Sequence, residues 1–347
     1  MRRYDIDWIR VIAIGLLIIY HSAIAFQPWG VMIGFITNPE PWPGLWIPMA
    51  VLNVWRIPLL FFVSGMGVYF AMQSRTWLEL IGERAQRIFL PYLFGMFVIV
   101  PVQLLIWRSY NNMEPRYTSN PGHLWFLGNI MMYVVIFFYL FYYLKDKSII
   151  KKIFSSPLSI LLPMAFLMAE KLIINPYPYE LYAMTLHGFF LGLIAFFFGF
   201  CFASAGVSFW NMLMKTWWAL LIVAGTLCFF RLTYQVNEFI PVESVCWVLL
   251  VFVAGYRFMN KPGATLRYLS EAAYPVYIIH MIFQFLVSAL IFPLEIVAPV
   301  KFVLLVVLTL GGCLFTYEMI RRTKVTRFLF GLKLRPSHAE PVKPVQP

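Results

Sequence analysis

Residues 5–21 form the first hydrophobic segment of the chain and read DIDWIRVIAIGLLIIYH. Positions 11–19 are all apolar or glycine, so the segment is predicted to be a membrane-spanning helix with ionisable side chains at both ends. The step from Arg10 to His21 leaves these side chains ~20° apart around a helix and ~16 Å apart along it. Asp7 lies one turn before Arg10, where the two can pair. One face of the helix therefore carries Asp7, Arg10 and His21.

Two interpretations of this face stay open. Ionisable side chains at membrane depth are costly unless they face a protein interior or a water-filled cavity, which favours a functional site. Arg10 could instead extend its charged head to the membrane surface, and His21 could be an interfacial residue.

The composition of the chain is that of a multi-pass membrane protein. Of its 347 residues, 61% are hydrophobic and 12% are charged, and the mean hydropathy is +0.77, which is far too apolar for a soluble core. The net charge of +12 would suit nucleic acid, but the basic residues follow membrane topology, so no nucleic-acid partner is expected. The four cysteines lie in apolar stretches without ligand-like spacing, so neither disulfides nor a metal site is predicted.

Apolar windows of about 20 residues predict ten membrane spans. They cover residues 8–26, 46–72, 88–107, 124–144, 157–174, 186–205, 213–230, 242–258, 272–293 and 299–320. With the amino terminus inside, 20 of the 27 lysines and arginines fall on the cytoplasmic side and 5 outside, as the positive-inside rule describes. The predicted fold class is all-α: a polytopic membrane protein with about ten transmembrane helices and both termini cytoplasmic.

The predicted domain organisation is simple. Residues 1–324 are expected to form one transmembrane domain, and residues 325–347 a basic, proline-rich cytoplasmic tail.

Candidate chemistry gathers at the predicted external end of the spans. His21 ends span 1, His123 opens span 4 and His187 begins span 6, while Arg56 stands at the start of span 2. An imidazole titrates near neutrality, so it can take a proton from an attacking hydroxyl and return one later. For each histidine alone, a structural role is the stronger interpretation.

Two arginines mark the opposite, predicted cytoplasmic end. Arg84 and Arg87 lie three residues apart just before Pro91, so they share a helix face. Paired guanidinium groups suit phosphate through bidentate hydrogen bonds. From the spacing alone, simple anchoring at the cytoplasmic membrane surface is favoured over a ligand.

Span 9 carries polar side chains deep in its apolar run. Glu271, Tyr274, Tyr277 and His280 are placed so that the last three lie near one helix face. Buried tyrosine and histidine need hydrogen-bond partners, so they should face the bundle. Packing between helices and contact with a substrate are equally compatible with this pattern.

Five segments together resemble the acyltransferase-3 family of integral membrane acyltransferases. In order, they are DWIR at 7–10 followed by His21, FFVSG at 61–65, the Arg84–Arg87 pair before Pro91, HLWFL at 123–127, and AYPVYIIH at 273–280. The ordered set covers about four-fifths of the chain. Within the family the chain looks closest to the glucan biosynthesis protein C (glucan succinyltransferase)-like branch.

The resemblance implies a multi-pass protein of the bacterial inner membrane that transfers an acyl group, acetyl or succinyl-like. The donor would be a cytoplasmic acyl-CoA, used as a cosubstrate with no bound cofactor, and the acceptor a hydroxyl of an extracytoplasmic glycan. His21 matches the family's essential histidine and Arg10 its partner arginine, with Asp7 beside it. Arg84 and Arg87 match a pair associated with the donor.

Other residues and functions remain open. Arg56 and His123 are candidates for stabilising an oxyanion, and Tyr277 and His280 are candidates for substrate contact. His21 could act as a general base or carry the acyl group covalently. A transporter or flippase for a glycan or a small anionic substrate would also place charges inside the bundle. A purely structural scaffold would leave the Arg10–His21 face without a reason.

Overall fold

The computed structural model describes residues 3–334, and these residues form helices without a β-strand. Ten helical segments among them are long and apolar enough to cross a membrane, and we number them spans 1–10. They are Tyr4–Ile24, Pro43–Met72, Trp77–Tyr110, Gly122–Leu144, Pro157–Ile174, Leu186–Ala205, Val207–Tyr234, Ile240–Phe258, Ala264–Ile291 and Ala298–Ile320. The predicted all-α, multi-pass class is confirmed, whereas the side of the membrane on which the termini lie stays a prediction.

Spans 1, 3, 7 and 9 begin several residues before their predicted starts, at Tyr4, Trp77, Val207 and Ala264. Hydropathy places a span's edge at the first charges, whereas the helix itself continues for as long as its hydrogen bonds do. In span 3, an N-cap at Thr76 explains the early start of the helix. Thr76 caps it, because the Thr76 N–H donates to Glu79 Oε2 (2.8 Å) and the Glu79 N–H donates to Thr76 Oγ1 (3.4 Å).

Span 3 is not a regular α-helix. Two π-helical turns, Ala85–Phe89 and Gly95–Ile99, interrupt it. Pro101 has no N–H to offer the Phe97 carbonyl, which accepts the Tyr117 hydroxyl at 2.9 Å instead. Such widened turns recur at functional sites, and Arg87 lies within the first of them.

Spans 2 and 6 pack against each other through reciprocal glycines. A Cβ on Gly65 would lie 1.9 Å from the Phe196 carbonyl oxygen, and a Cβ on Gly199 would lie 2.0 Å from the Phe62 carbonyl oxygen. Only residues without side chains let two helix backbones approach this closely. Gly65 is therefore part of the close contact between these two spans.

The chain turns back onto the bundle after span 10. A short helix, Lys324–Leu329, is followed by Phe330, which is buried with its ring 5.4 Å from that of Phe94. Residues 325–334 of the predicted tail are thus folded against span 3. The remainder of that tail lies outside the described residues.

Candidate active site

A cavity of about 1010 Å³ lies inside the bundle and draws its lining from both ends of the spans. We call one end the arginine end, defined by Arg10, Arg84 and Arg87, and the other the histidine end, defined by His21 and His123. Nine residues were given a possible catalytic, donor-binding or substrate-contact role, and eight of them line this cavity: Asp7, Arg10, His21, Arg56, Arg84, Arg87, His123 and Tyr277. His280, the ninth, contacts His21 from within the protein.

Span 1 contributes one continuous face to the cavity. Asp7, Arg10, Leu17 and His21 line it in order along the helix. Arg10 Nη1 lies 3.6 Å from Asp7 Oδ1, so the ion pair expected from their spacing is present. The apolar residues between the two polar groups, Leu17 among them, give the middle of the cavity an apolar wall.

His21 and His280 contact each other directly at the histidine end. His21 Nδ1 lies 2.9 Å from His280 Nε2, and the two rings are nearly parallel (15°) with their centroids 5.1 Å apart. His280 is fully buried, and its Nδ1 lies 2.7 Å from the Tyr277 carbonyl oxygen. The sequence places both histidines on helices but gives no sign that they meet.

The hydrogen-bond partners assign the tautomers of both neutral rings. A carbonyl can only accept, so His280 Nδ1 must carry the proton that it donates to Tyr277. His280 Nε2 is then an acceptor, and His21 Nδ1 must donate to it. This leaves His21 Nε2 with a free lone pair on a ring that lines the cavity. A base held in one tautomer by a second group is the arrangement that proton transfer requires.

His123 carries its proton on Nε2, whereas His21 and His280 carry theirs on Nδ1. The His123 Nε2–H donates to the Ile278 carbonyl oxygen at 3.0 Å. The backbone carbonyl of His123 accepts a hydrogen bond from the Tyr277 hydroxyl at 2.6 Å. His123 Nδ1 is buried without a hydrogen-bond partner. In a neutral His123 this buried Nδ1 carries a lone pair, and the ring has no free donor.

Among the buried cations of residues 3–334, Arg56 has the fewest compensating partners. It is 2% exposed, lines the cavity, and packs its guanidinium over the Tyr20 ring at 4.2 Å. Its Nε and Nη1 atoms have no hydrogen-bond partner. An aromatic face recovers only part of the hydration that a buried guanidinium loses, so this site favours an anionic group in the cavity.

The other buried cations among residues 3–334 all have partners. Arg231 pairs with Glu243 at 2.7 Å, and Arg327 pairs with Glu271 at 3.1 Å. Lys301 donates to Asn38 Oδ1 and to the Phe292 carbonyl. Burial alone therefore does not leave these cations without partners. Arg56, which lines the cavity, is the one whose Nε and Nη1 lack them.

The arginine end concentrates positive charge. Arg84 Nη2 donates to the Gly67 carbonyl at 3.2 Å, while its buried Nε has no partner. A Cβ on Gly67 would lie 3.9 Å from Arg10 Nη2, so Arg10 and Arg84 converge on this residue. Arg87 pairs with Glu83 at 2.8 Å. Together these guanidinium groups can bind an anion with several oxygens.

His187 is separate from this cavity, although the sequence grouped it with the other histidines. Its Nδ1 lies 2.7 Å from Glu170 Oε1, and both side chains are buried. It packs against Tyr179 and Tyr182 in the connection before span 6. Burial raises the pKa of both tyrosine hydroxyls well above the usual value, so they stay neutral.

Sequence reasoning missed several residues at the two ends. Ser22 donates to Gln284 Oε1 at 3.0 Å beside the histidine pair, and Gln284 Nε2 has no partner. Tyr277, His280 and Gln284 recur at helical spacing, a polar pattern that could have identified Gln284. At the arginine end, three further basic residues line the cavity: Arg267, Arg327 and Lys333. No pattern in the sequence distinguishes them from the basic residues that anchor a span.

Ten apolar spans around an internal cavity, with histidines at one end and arginines at the other, make this a multi-pass membrane protein with a candidate active site inside the bundle. Residues 3–318 match the family model described as an acyltransferase domain. The chain therefore belongs to the acyltransferase-3 family, as the five sequence segments predicted, and it is a membrane acyltransferase. No curated protein and no solved structure matches it.

Proposed function

We propose that the protein transfers an acyl group from a cytoplasmic acyl-CoA to a hydroxyl of an extracytoplasmic glycan, in the bacterial inner membrane. The observation that carries this proposal is the cavity itself, with a proton-accepting histidine at one end and arginines suited to phosphate at the other. The arginine end would then be cytoplasmic, in agreement with the distribution of basic residues.

His21 would act as the base. Its Nε2 takes the proton from the glycan hydroxyl, whose oxygen attacks the thioester carbonyl carbon. The carbon–sulfur bond then breaks, and the CoA sulfur leaves with the proton that His21 held. His280 would position His21, because it accepts from the His21 Nδ1–H throughout. The free lone pair on Nε2 would serve a general base and a covalent acyl carrier equally, and we propose the general-base route.

Arg56 would stabilise the oxyanion of the tetrahedral intermediate. Its unsatisfied Nε and Nη1 are donors already buried away from water, and preorganised donors of this kind stabilise developing charge strongly. His123, the other candidate, is less suited because its donor nitrogen is engaged with Ile278.

The charge of Arg56 also bears on the acyl group. An acetyl group would bring no charge to this buried guanidinium, whereas a succinyl group would bring a carboxylate to compensate it. Of the two acyl groups considered, we therefore favour the succinyl-like one, which also fits the glucan biosynthesis protein C-like branch of the family.

Arg10, Arg84 and Arg87 would hold the phosphates of the donor. Arg84 keeps an unsatisfied Nε in the cavity lining, and guanidinium forks match phosphate oxygens. The pantetheine arm would then follow the apolar wall of span 1 toward His21.

One observation favours a second function. A cavity lined from both ends is also what a transporter or flippase for a glycan or a small anion requires. The match of residues 3–318 to an acyltransferase family model favours acyl transfer over transport.

The test is acyl transfer by the purified protein in lipid vesicles. Succinyl-CoA or acetyl-CoA labelled in the acyl group is supplied on one side and a glucan on the other, and the glucan is analysed by mass spectrometry. We expect ester on the glucan only when CoA faces the arginine end, and none with His21→Gln. Transport of intact glucan or donor without ester would instead establish the transporter.

A further inference from the structure

The residues after span 10 form part of the cavity wall, which no sequence pattern suggested. Arg327, Gly331, Leu332 and Lys333 line the arginine end together with Arg84 and Arg87 of span 3. We call residues 324–334 the return segment. Leu332 is buried, whereas Lys333 is exposed at the end of the cavity.

Arg327 anchors the return segment. Its Nη2 donates to Glu271 Oε1 of span 9 at 3.1 Å, its Nε donates to the Lys333 carbonyl at 2.7 Å, and its Nη1 donates to the Arg321 carbonyl at 3.3 Å. One buried guanidinium therefore neutralises a cavity carboxylate and fixes the backbone of Lys333.

Gly331 brings the same segment against the backbone of span 3. It adopts φ +65°, and a Cβ here would lie 2.6 Å from the Arg87 carbonyl oxygen. Both the left-handed backbone and the close approach require glycine. The position of the return segment is therefore coupled to that of Arg87.

The charge at this end exceeds what the three arginines of span 1 and span 3 supply. At the arginine end the lining carries six cations, Arg10, Arg84, Arg87, Arg267, Arg327 and Lys333, against two carboxylates, Asp7 and Glu271. Asp7 pairs with Arg10 and Glu271 with Arg327. Arg267 and Lys333, both exposed, add positive charge at the outer edge of the cavity.

We infer that Lys333 and Arg267 bind a phosphate on the nucleotide end of the donor, and that the return segment is built to hold Lys333 there. This inference rests on the proposed function, because it takes the donor to be an acyl-CoA. Along CoA, the thiol is followed by the pantetheine arm, the diphosphate and then the 3′-phosphate. Along the cavity, His21 is followed by the apolar wall, by Arg10 with Arg84, and then by the exposed Lys333. The two orders match, which assigns the 3′-phosphate to Lys333 and Arg267.

The experiment compares CoA with 3′-dephospho-CoA by equilibrium binding to the purified full chain in nanodiscs. Wild type should bind CoA about tenfold more tightly than the dephospho compound, a difference typical of one charge-assisted contact. Lys333→Ala should raise the Kd for CoA by about tenfold and leave that for dephospho-CoA unchanged. The matched control is Lys324→Ala, which removes the same charge from an exposed site of the return segment outside the cavity lining and should change neither Kd.

The outcomes separate the two proposals. A wild-type preference for CoA that Lys333→Ala leaves intact would overturn the assignment of the 3′-phosphate while leaving the proposed function in place. An equal loss of affinity for CoA and for 3′-dephospho-CoA would also overturn it, because removing a contact to the 3′-phosphate can weaken only the compound that carries this phosphate. Absence of CoA binding in wild type would refute the donor and the inference together.

Discussion

His21 Nδ1 lies 2.9 Å from His280 Nε2, although 259 residues separate the two histidines. The contact joins span 1 to span 9 and continues through His280 Nδ1 to the Tyr277 carbonyl. It gives His21 a defined tautomer and places the buried His280 behind it. The proposed base and its positioning residue thus form a short relay, and each member can be tested separately.

His21→Ala should lower turnover on the order of 10²–10⁴-fold, the usual contribution of a positioned acid–base group. CoA binding should persist, because the phosphate contacts are assigned to the other end of the cavity. His21→Gln is the sharper variant, since an amide forms hydrogen bonds but does not titrate near neutral pH. The measurement is acyl transfer in vesicles by variants matched for folding and density. Substantial turnover by His21→Gln would remove the proton-transfer role.

Substituting His280 should lower kcat without changing the KM for the donor. His280→Gln keeps an oxygen that can accept from His21 Nδ1–H, whereas His280→Leu removes the acceptor and frees the tautomer of His21. We expect Leu to lower kcat by about 10²-fold or more, and Gln to restore part of it, as for other groups that fix a catalytic histidine. Equal kcat for the two variants would mean that His280 only fills space.

Arg56 should distinguish succinyl-CoA from acetyl-CoA. Arg56→Gln removes the charge, so kcat/KM for succinyl-CoA should fall about tenfold further than for acetyl-CoA, the effect of losing one buried charged contact. Arg56→Lys keeps the charge and should retain part of the preference. An equal fall for both donors would leave Arg56 as an oxyanion donor only, and unchanged kinetics would exclude both roles.

Replacing Arg84 and Arg87 by alanine together should weaken CoA binding by about 10²-fold, the sum of two charge-assisted contacts. Lysines at both positions should recover only part of the affinity, because an ammonium cannot form the bidentate fork. Arg75→Ala is the control, since Arg75 also pairs with Glu83 (3.2 Å) but does not line the cavity. Unchanged affinity in the double alanine variant would return the pair to membrane anchoring.

Gly65→Ala should destabilise the bundle by about 1–3 kcal/mol, because the added Cβ must push span 2 away from span 6. Gly225→Ala is the matched control, since no atom lies within 4 Å of the added Cβ. The measurement is the thermal unfolding midpoint in nanodiscs. Equal midpoints for the two variants would show that the spans can separate without cost.

The sequence predicted the spans well and their ends less well. Ten windows of hydropathy correspond to ten helices, because burial in lipid selects for apolar length above all else. The beginnings of spans 1, 3 and 9 extend past their first charges, where capping and hydrogen bonding decide the boundary. The π-helical turns of span 3 follow no hydropathy signal.

For the candidate site, the sequence predicted contacts within one helix but not contacts between helices. Spacing within one helix predicted the Asp7–Arg10 pair and the face shared with His21, because helix geometry is local. The contact between His21 and His280 depends on how spans 1 and 9 cross, which no local pattern encodes. Lys333 was indistinguishable from an anchoring residue until the return segment brought it to the cavity.

The cavity that draws its lining from both ends of the bundle has a consequence for what crosses the membrane. In a molecule that works as proposed, CoA enters and leaves on one side, and the glycan stays on the other. Only the acyl group passes between them. The reaction is then a group translocation driven by the cleavage of a thioester, and neither the nucleotide nor the sugar needs a carrier of its own.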